Sequence, residues 1–168
     1  MQNAKDTFYE MLRGRLAALN PGRTIVLRGV VRPGVLVEEN ELVSTVVLPD
    51  CFRVNWTQAA GDPDGDLATI ALQCEIEYET AGTALNGGMD RGRALSAMDA
   101  ELQATINTDT QTALKSNYKG LTTGLAVEPM ATSIWWGQLV FGKVEIKDDR
   151  LARTGTVMVM SYEKTSEL

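Results

Sequence analysis

Apolar residues recur along the chain with two periods, one helical and one extended. Near the start they form one stripe at spacings of three and four residues, made of Phe8, Leu12, Leu16 and Leu19, with Met11 beside it. This spacing predicts an amphipathic helix of about four turns. Asn3 or Asp6 is its expected N-cap, and the Asn-Pro-Gly sequence at 20–22 is its expected end, because proline and glycine do not continue a helix.

A second stripe at helical spacing predicts another helix later in the chain. It consists of Leu95, Met98, Leu102 and Ile106. The preceding Asp90 is the expected N-cap of this helix. A further short helical piece is predicted over 109–117, with its end at Gly120.

The strictest alternation in the chain is "LATIALQCEIEYET" at 67–80. Its apolar positions are Ala68, Ile70, Leu72, Cys74, Ile76 and Tyr78. Its polar positions include Glu75, Glu77 and Glu79. Because successive side chains of a strand point to opposite faces, this pattern predicts an antiparallel strand with one face on the core and the other in water.

Three other segments read as extended structure. "RTIVLRGVV" at 23–31 is rich in β-branched residues and predicts a strand that ends before a turn at 32–34. "CFRVNWT" at 51–57 alternates and predicts a strand joined to the next one by the turn sequence "AAGDPDGD" at 59–66. Between them, 35–48 holds two apolar pieces around an acidic cluster and is interpreted as an extended excursion or loose hairpin.

The chain closes on a long apolar hairpin. It begins near Ala131, turns at 147–150 and returns through "RTGTVMVMSYE". Trp135 and Trp136 must point to opposite faces if both lie in a strand, so only one of them can enter the core. The other one, with Val140 and the return strand beside it, makes the outer face a candidate contact surface for another subunit.

The order of elements is helix, several strands, helix and two strands. The long connections that parallel crossovers need are missing, so the expected fold class is α+β, a mainly antiparallel sheet with two to three helices packed on one face and an extended excursion. With 168 residues, we expect a single domain over 1–168.

Composition narrows the possible functions. There are 16 Lys and Arg against 22 Asp and Glu, a net charge of −6, which argues against a polyanionic partner held by long-range attraction. The chain has no histidine, which removes Ser-His-Asp and Cys-His systems and His-ligated zinc. Cys51 and Cys74 lack metal-ligand spacing and are expected to be reduced and buried. We therefore expect no enzyme, no cofactor and no metal.

Three clusters have a functional and a simpler interpretation. The carboxylates of "DPDGD" at 62–66 resemble the start of a calcium loop, but the flanking strands favour a β-turn. Glu75, Glu77 and Glu79 form a regular stripe whose members share one environment, so a solvated face or a subunit contact is favoured over acid-base catalysis. Glycines and arginines at 82–93 could form an anion site at a helix N-terminus, but flexibility is favoured because no nucleotide-loop motif is present.

Five segments together resemble the tail terminator family of long-tailed bacteriophages, also called tail completion or minor tail proteins of the neck. They are the opening helix "TFYEMLRGRLAAL", "LPDCFRVNW", "ATIALQCEIEYE", "RGRALSAMDAELQATI" and the closing "GTVMVMSYEK". The resemblance spans nearly the whole chain and lies in element order more than in sharp motifs. The segments 35–48 and 107–124 are long for a minimal member of the family.

The resemblance implies a virion structural protein, assembled in the host bacterial cytoplasm. Its subunits would form a six-membered ring that caps the tail tube, stops polymerisation and joins the head connector, with DNA only passing through the channel. Implied partners are further copies of the chain, the tail tube protein and a connector or neck protein, with no membrane partner because no segment is apolar enough to cross one. The alternatives are another neck or tube component and a small histidine-free ligand-binding domain.

If the chain forms such a ring, edge strands, the extended excursion and the outer hairpin face are the expected contact surfaces. The residues expected there are Trp135, Trp136, Val140, Glu75, Glu77, Glu79, Val43 and Val46.

Overall fold

A mainly antiparallel β-sheet backed by two helices forms the framework of the chain in the computed structural model, which describes residues 1–37, 48–62, 67–119 and 124–164. The helices in these ranges are α1 (Gln2–Leu19) and α2 (Arg91–Ile106). The strands are β1 (Thr24–Leu27), β2 (Val30–Pro33), β3 (Val35–Val37), β4 (Phe52–Asp62), β5 (Leu67–Thr80), β6 (Thr112–Asn117), β7 (Glu128–Trp136), β8 (Val140–Phe141), β9 (Glu145–Lys147) and β10 (Arg150–Lys164). A short 3-10 turn, Ala84–Asn86, precedes α2.

Strand β10 is the central member of the larger sheet. The main path runs β3-β4-β5-β10-β7-β6, and every pairing is antiparallel except that of β3 with β4. One edge of β10 pairs with β5 over Leu151–Lys164, and its other edge pairs in turn with β9, β8 and β7. Strands β1 and β2 form a separate two-stranded hairpin. The α+β class expected from the sequence is confirmed.

Both helices pack on the same side of the sheet, called here the inner face. From α1, the ring of Phe8 makes edge-to-face contacts with Trp56 on β4 and Trp136 on β7, at centroid distances of 5.8 and 5.7 Å. From α2, Asp99 accepts a hydrogen bond of 2.5 Å from the hydroxyl of Tyr78 on β5. These contacts arise because the alternating apolar positions of the strands face the apolar stripes of the helices.

The stripe expected for α2 is confirmed, since all four of its members are buried. In α1 the stripe is confirmed for Phe8, Leu12 and Leu16, but Leu19 is 52% exposed because the helix ends there. Neither expected cap holds: the helix begins at Gln2, with Met1 in the N-cap position. Because the helix starts before Asn3, the hydroxyl of Thr7 can donate to the carbonyl of Asn3 within it, at 2.6 Å.

Asp90 occupies the N-cap position of α2 without making a capping hydrogen bond. Its carboxylate instead accepts hydrogen bonds from the amide and hydroxyl of Thr83, at 2.8 and 2.9 Å. These bonds lower the pKa of Asp90 and close the loop onto the start of the helix.

Gly155 on β10 lies directly beneath Leu102 of α2. A Cβ atom there would lie 2.9 Å from Leu139 Cδ1 and 3.2 Å from Leu102 Cδ2. The absence of a side chain at this strand position therefore leaves room for Leu102 of α2 and for Leu139 of the loop between β7 and β8 to pack over the sheet. Both leucines are buried.

Two predicted elements are wrong. The short helix expected over 109–117 is instead strand β6, whose Thr112, Ala113 and Leu114 lie opposite residues of β7. Pairing with β7 outweighs the weak helical pattern, a tertiary override of local propensity. The single strand expected over 23–31 is a hairpin that reverses at Arg28 and Gly29, both with positive φ.

The excursion expected over 35–48 is described only at its ends. Its first residues form β3, which runs parallel to β4 with Val35 opposite Phe52. Residues 38–47 lie outside the described residues, as do 63–66 of the turn expected over 59–66. The first part of that turn, 59–62, is wrong, because these residues belong to β4 and pair with β5.

Candidate subunit interface

The side of the sheet turned away from the helices, called here the outer face, carries a group of apolar side chains. Leu114, Met158 and Tyr162 are exposed, while Trp135 and Met160 are partly buried. These five residues are called the outer patch below. Helix packing on the inner face leaves the outer face uncovered within the described part of the chain. Contiguous exposed apolar surface of this kind is typical of interaction sites.

Strand register explains why the outer patch is contiguous. Met160 of β10 lies directly opposite Trp135 of β7 and, on its other side, opposite Ala71 of β5. The ring of Trp135 packs against that of Tyr162 with centroids 4.6 Å apart. Leu114 lies on β6, one strand beyond β7. Side chains on the same face of paired strands are close enough to contact one another, so the patch spans three neighbouring strands.

Trp136 lies on the opposite face from Trp135. It is 3% exposed, and its indole N–H donates a hydrogen bond of 3.0 Å to the carbonyl of Ile106 at the end of α2. The guanidinium of Arg15 lies over its ring at 5.3 Å. Because successive side chains of a strand point to opposite faces, the two tryptophans cannot both be in the core. In the structure Trp136 lies in the core and Trp135 lies on the outer face.

The three glutamates of the expected stripe do not share one environment. Glu79 is only 6% exposed and forms an ion pair with Arg150. Glu75 and Glu77 are partly exposed on the outer face. Glu75 accepts hydrogen bonds from the side chains of Gln73 and Thr57, at 3.0 and 3.3 Å. The expectation of a uniformly solvated stripe fails at Glu79, because the neighbouring strand brings Arg150 over it.

Val140 extends the exposed apolar surface. It lies on β8 opposite Thr156 of β10 and is largely exposed. Val43 and Val46, which were expected at the same interface, lie outside the described residues.

Sequence patterns missed a second exposed apolar element, the β1–β2 hairpin. Val26, Val30 and Val31 are 67, 62 and 65% exposed, and Val26 lies opposite Val31 in the hairpin register. The alternation of Val26 with buried Ile25 is the signal that could have identified a one-sided hairpin. It was hidden because a continuous β-branched run reads equally well as one buried strand.

A buried polar cluster lies behind the outer patch, on the inner face. The ammonium of Lys115 is 3.3 Å from a carboxylate oxygen of Glu163, and both side chains are almost fully buried. Lys115 also donates to the carbonyl of Tyr162 at 2.7 Å. Burial would raise the pKa of Glu163, but a hydrogen bond from the Met1 amino group and the charge of Lys115 outweigh it and lower the pKa. The cluster links β6 to the end of β10. Each buried charge has a partner of opposite sign, which offsets the cost of removing it from water.

The cysteines have the properties expected of inert core residues. Both are free and buried. Burial raises the pKa of Cys74 well above its ordinary value and raises that of Cys51 to about 11. Thiols in such surroundings stay protonated and unreactive. No group of three or more residues suited to holding a metal ion occurs within the described ranges.

No protein-family model matches the chain, and no curated protein matches it either. Neither described helix is long and apolar enough to cross a membrane.

Proposed function

We propose that this chain is a structural subunit of a bacteriophage tail terminator. Copies would form a ring that caps the tail tube, stops its polymerisation and joins the tail to the head connector. The observation that carries this proposal is the outer patch: one face of the sheet is built into the core, while the other offers Trp135, Met158 and Tyr162 to solvent. Aromatic and methionine side chains are enriched at protein interfaces, where they bury large apolar areas.

Two features favour assembly over ligand turnover. The most deeply buried charged side chains in the described residues, Lys115 and Glu163, pair with each other. The net charge of −6 also suits a virion part that DNA passes without sticking, because like charges repel.

The proposal is tested by adding the purified protein to growing tail tubes. We expect tube length to stop increasing, with a ring visible at one tube end by electron microscopy. Unchanged tube growth and no density at either end would contradict it. A matched control is Trp135→Ala, which should leave the fold intact but cap tubes poorly, because the outer patch loses its largest side chain.

Another tube or neck component is the alternative that the same observation allows. A tube protein would also need an exposed apolar sheet face. It is distinguished by its product, since it would polymerise into tubes alone instead of ending them.

A further inference from the structure

The β1–β2 hairpin is held at its base by the helix layer, which lies on the inner side of the sheet. Arg32 of β2 donates a hydrogen bond of 2.8 Å to the hydroxyl of Tyr9 on α1. Arg23, just before β1, forms two hydrogen bonds to Glu101 of α2, of 2.6 and 2.9 Å. The base of the hairpin is therefore attached to the helix layer, away from the outer face that carries the outer patch.

This placement gives the chain two different exposed apolar surfaces. One is the valine face of the hairpin, formed by Val26 and Val31, which lie opposite each other in the register and are both largely exposed. The other is the outer patch. Two unlike surfaces on different elements of one subunit suit a head-to-tail contact, in which the hairpin of each copy meets the sheet of the next one.

The charges near the two surfaces are opposite. Arg28 is exposed at the tip of the hairpin, two residues before Val30. Glu75 lies on the outer face, two residues along β5 from Gln73, which pairs with Met158 of the patch. Within the described ranges neither Arg28 nor Glu75 forms a salt bridge in its own chain. Each is thus available to a charge on another molecule.

We infer that the β1–β2 hairpin of one subunit docks on the outer patch of a neighbouring copy. Val26 and Val31, on one face of the hairpin, cover the patch, and Arg28 pairs with Glu75 of that neighbour. This inference rests on the proposed ring function and identifies the contact that builds the ring. Apolar burial supplies the attraction, and the charge pair sets the register of the hairpin on the sheet.

Charge reversal tests the contact. Arg28→Glu and Glu75→Lys should each raise the protein concentration needed for ring assembly by roughly tenfold or more, because each puts like charges together. The two variants mixed in equal amounts should assemble again. In an alternating ring, each contact then joins either the two substituted residues, which carry opposite charges, or the original Arg28 and Glu75. Ring mass is read by native mass spectrometry, and thermal melting of each variant checks that the fold is kept.

Matched controls place the same charge changes elsewhere. Arg93→Glu on α2 and Glu128→Lys at the start of β7 alter exposed residues and should leave assembly unchanged. If a reversed charge unfolds the protein, Arg28→Gln and Glu75→Gln replace it in a double-mutant cycle. The pair of neutral substitutions should then weaken assembly less than the sum of the two single effects.

The outcomes separate this inference from the proposed function. Loss in both single variants with recovery in the mixture supports the hairpin contact. The hairpin contact is ruled out if both single variants assemble fully. It is also ruled out if both lose assembly, their mixture does not recover it and the double-mutant cycle shows no coupling between the two residues. In either case the rings formed by the original protein still support the proposed function. If the original protein forms no ring, even with tail tubes, the proposed function fails and the contact fails with it.

Discussion

Trp135 and Trp136 are adjacent in the chain but have opposite surroundings, and this difference yields a matched pair of substitutions. Trp136 is enclosed by Phe8 and Arg15 and donates its indole N–H to Ile106. Trp136→Ala should lower the free energy of unfolding by about 3–5 kcal/mol, because it leaves a cavity and an unpaired carbonyl. Urea denaturation followed by circular dichroism measures this loss.

Trp135→Ala is the matched control for Trp136→Ala. The side chain packs on Tyr162 at the surface, so its removal should cost no more than about 1 kcal/mol of stability. Assembly should weaken roughly tenfold or more, as expected when an aromatic anchor leaves an interface. Equal loss of stability in both variants would mean that Trp135 belongs to the core and would contradict its place in the outer patch.

At the level of elements, the contact between Arg23 and Glu101 fixes the base of the β1–β2 hairpin against α2. Burial alone would raise the pKa of Glu101, but hydrogen bonds from Arg23 and Asn20 and the charge of Arg23 outweigh it and lower the pKa. A carboxylate with a lowered pKa in the folded protein stabilises the fold above its unfolded pKa. That stability is lost as the pH falls through the folded value.

Glu101→Gln should therefore cost about 1.5–3 kcal/mol at neutral pH, the range for hydrogen bonds to charged groups. The difference in stability between the two proteins should stay constant above the ordinary glutamate pKa and shrink as the pH falls below it. Denaturation at a series of pH values from neutral to acidic measures the difference. A gap that persists unchanged at the acid end would mean that the ionised carboxylate is not what holds the hairpin base.

Elements with a long, regular apolar period could be predicted from the sequence. The alternation of β5 and the stripe of α2 indicated both the type of element and the buried side, because each face repeats over several turns or pairs. Shorter elements depended on neighbours. β6 is a strand because it pairs with β7. The β1–β2 hairpin reverses at Arg28 and Gly29, and the single glycine there is a weak turn signal inside a β-branched run.

The candidate site followed the same division. Alternation predicted that one tryptophan faces outward, but which one depended on the register of β7 against β10. The burial of Glu79 depended on Arg150, which is distant in the chain. Lys115 and Glu163 lie on β6 and β10, which are far apart in the chain, and no local sequence pattern indicates that these strands come close together.

At the level of the whole molecule, a head-to-tail contact has two possible products. Repetition of one contact closes a ring if the rotation between neighbours divides a full turn, and otherwise it runs on as an open filament. The presence of two unlike surfaces on one subunit does not by itself determine which of these products forms. A tail terminator requires closure, because a cap that kept growing would not end a tube.

The change in the mass of the assembly with rising protein concentration therefore distinguishes a closed ring from an open filament. We expect sedimentation velocity to show monomer at low concentration, then one larger species of about six subunits whose mass no longer increases. Closure makes this transition steep, since the last subunit forms two contacts at once and gains from the effective concentration within the ring. The Arg28→Glu variant serves as the control and should remain monomeric over the same range. A mass that continued to rise would indicate a filament, and the terminator role would then give way to that of a tube component.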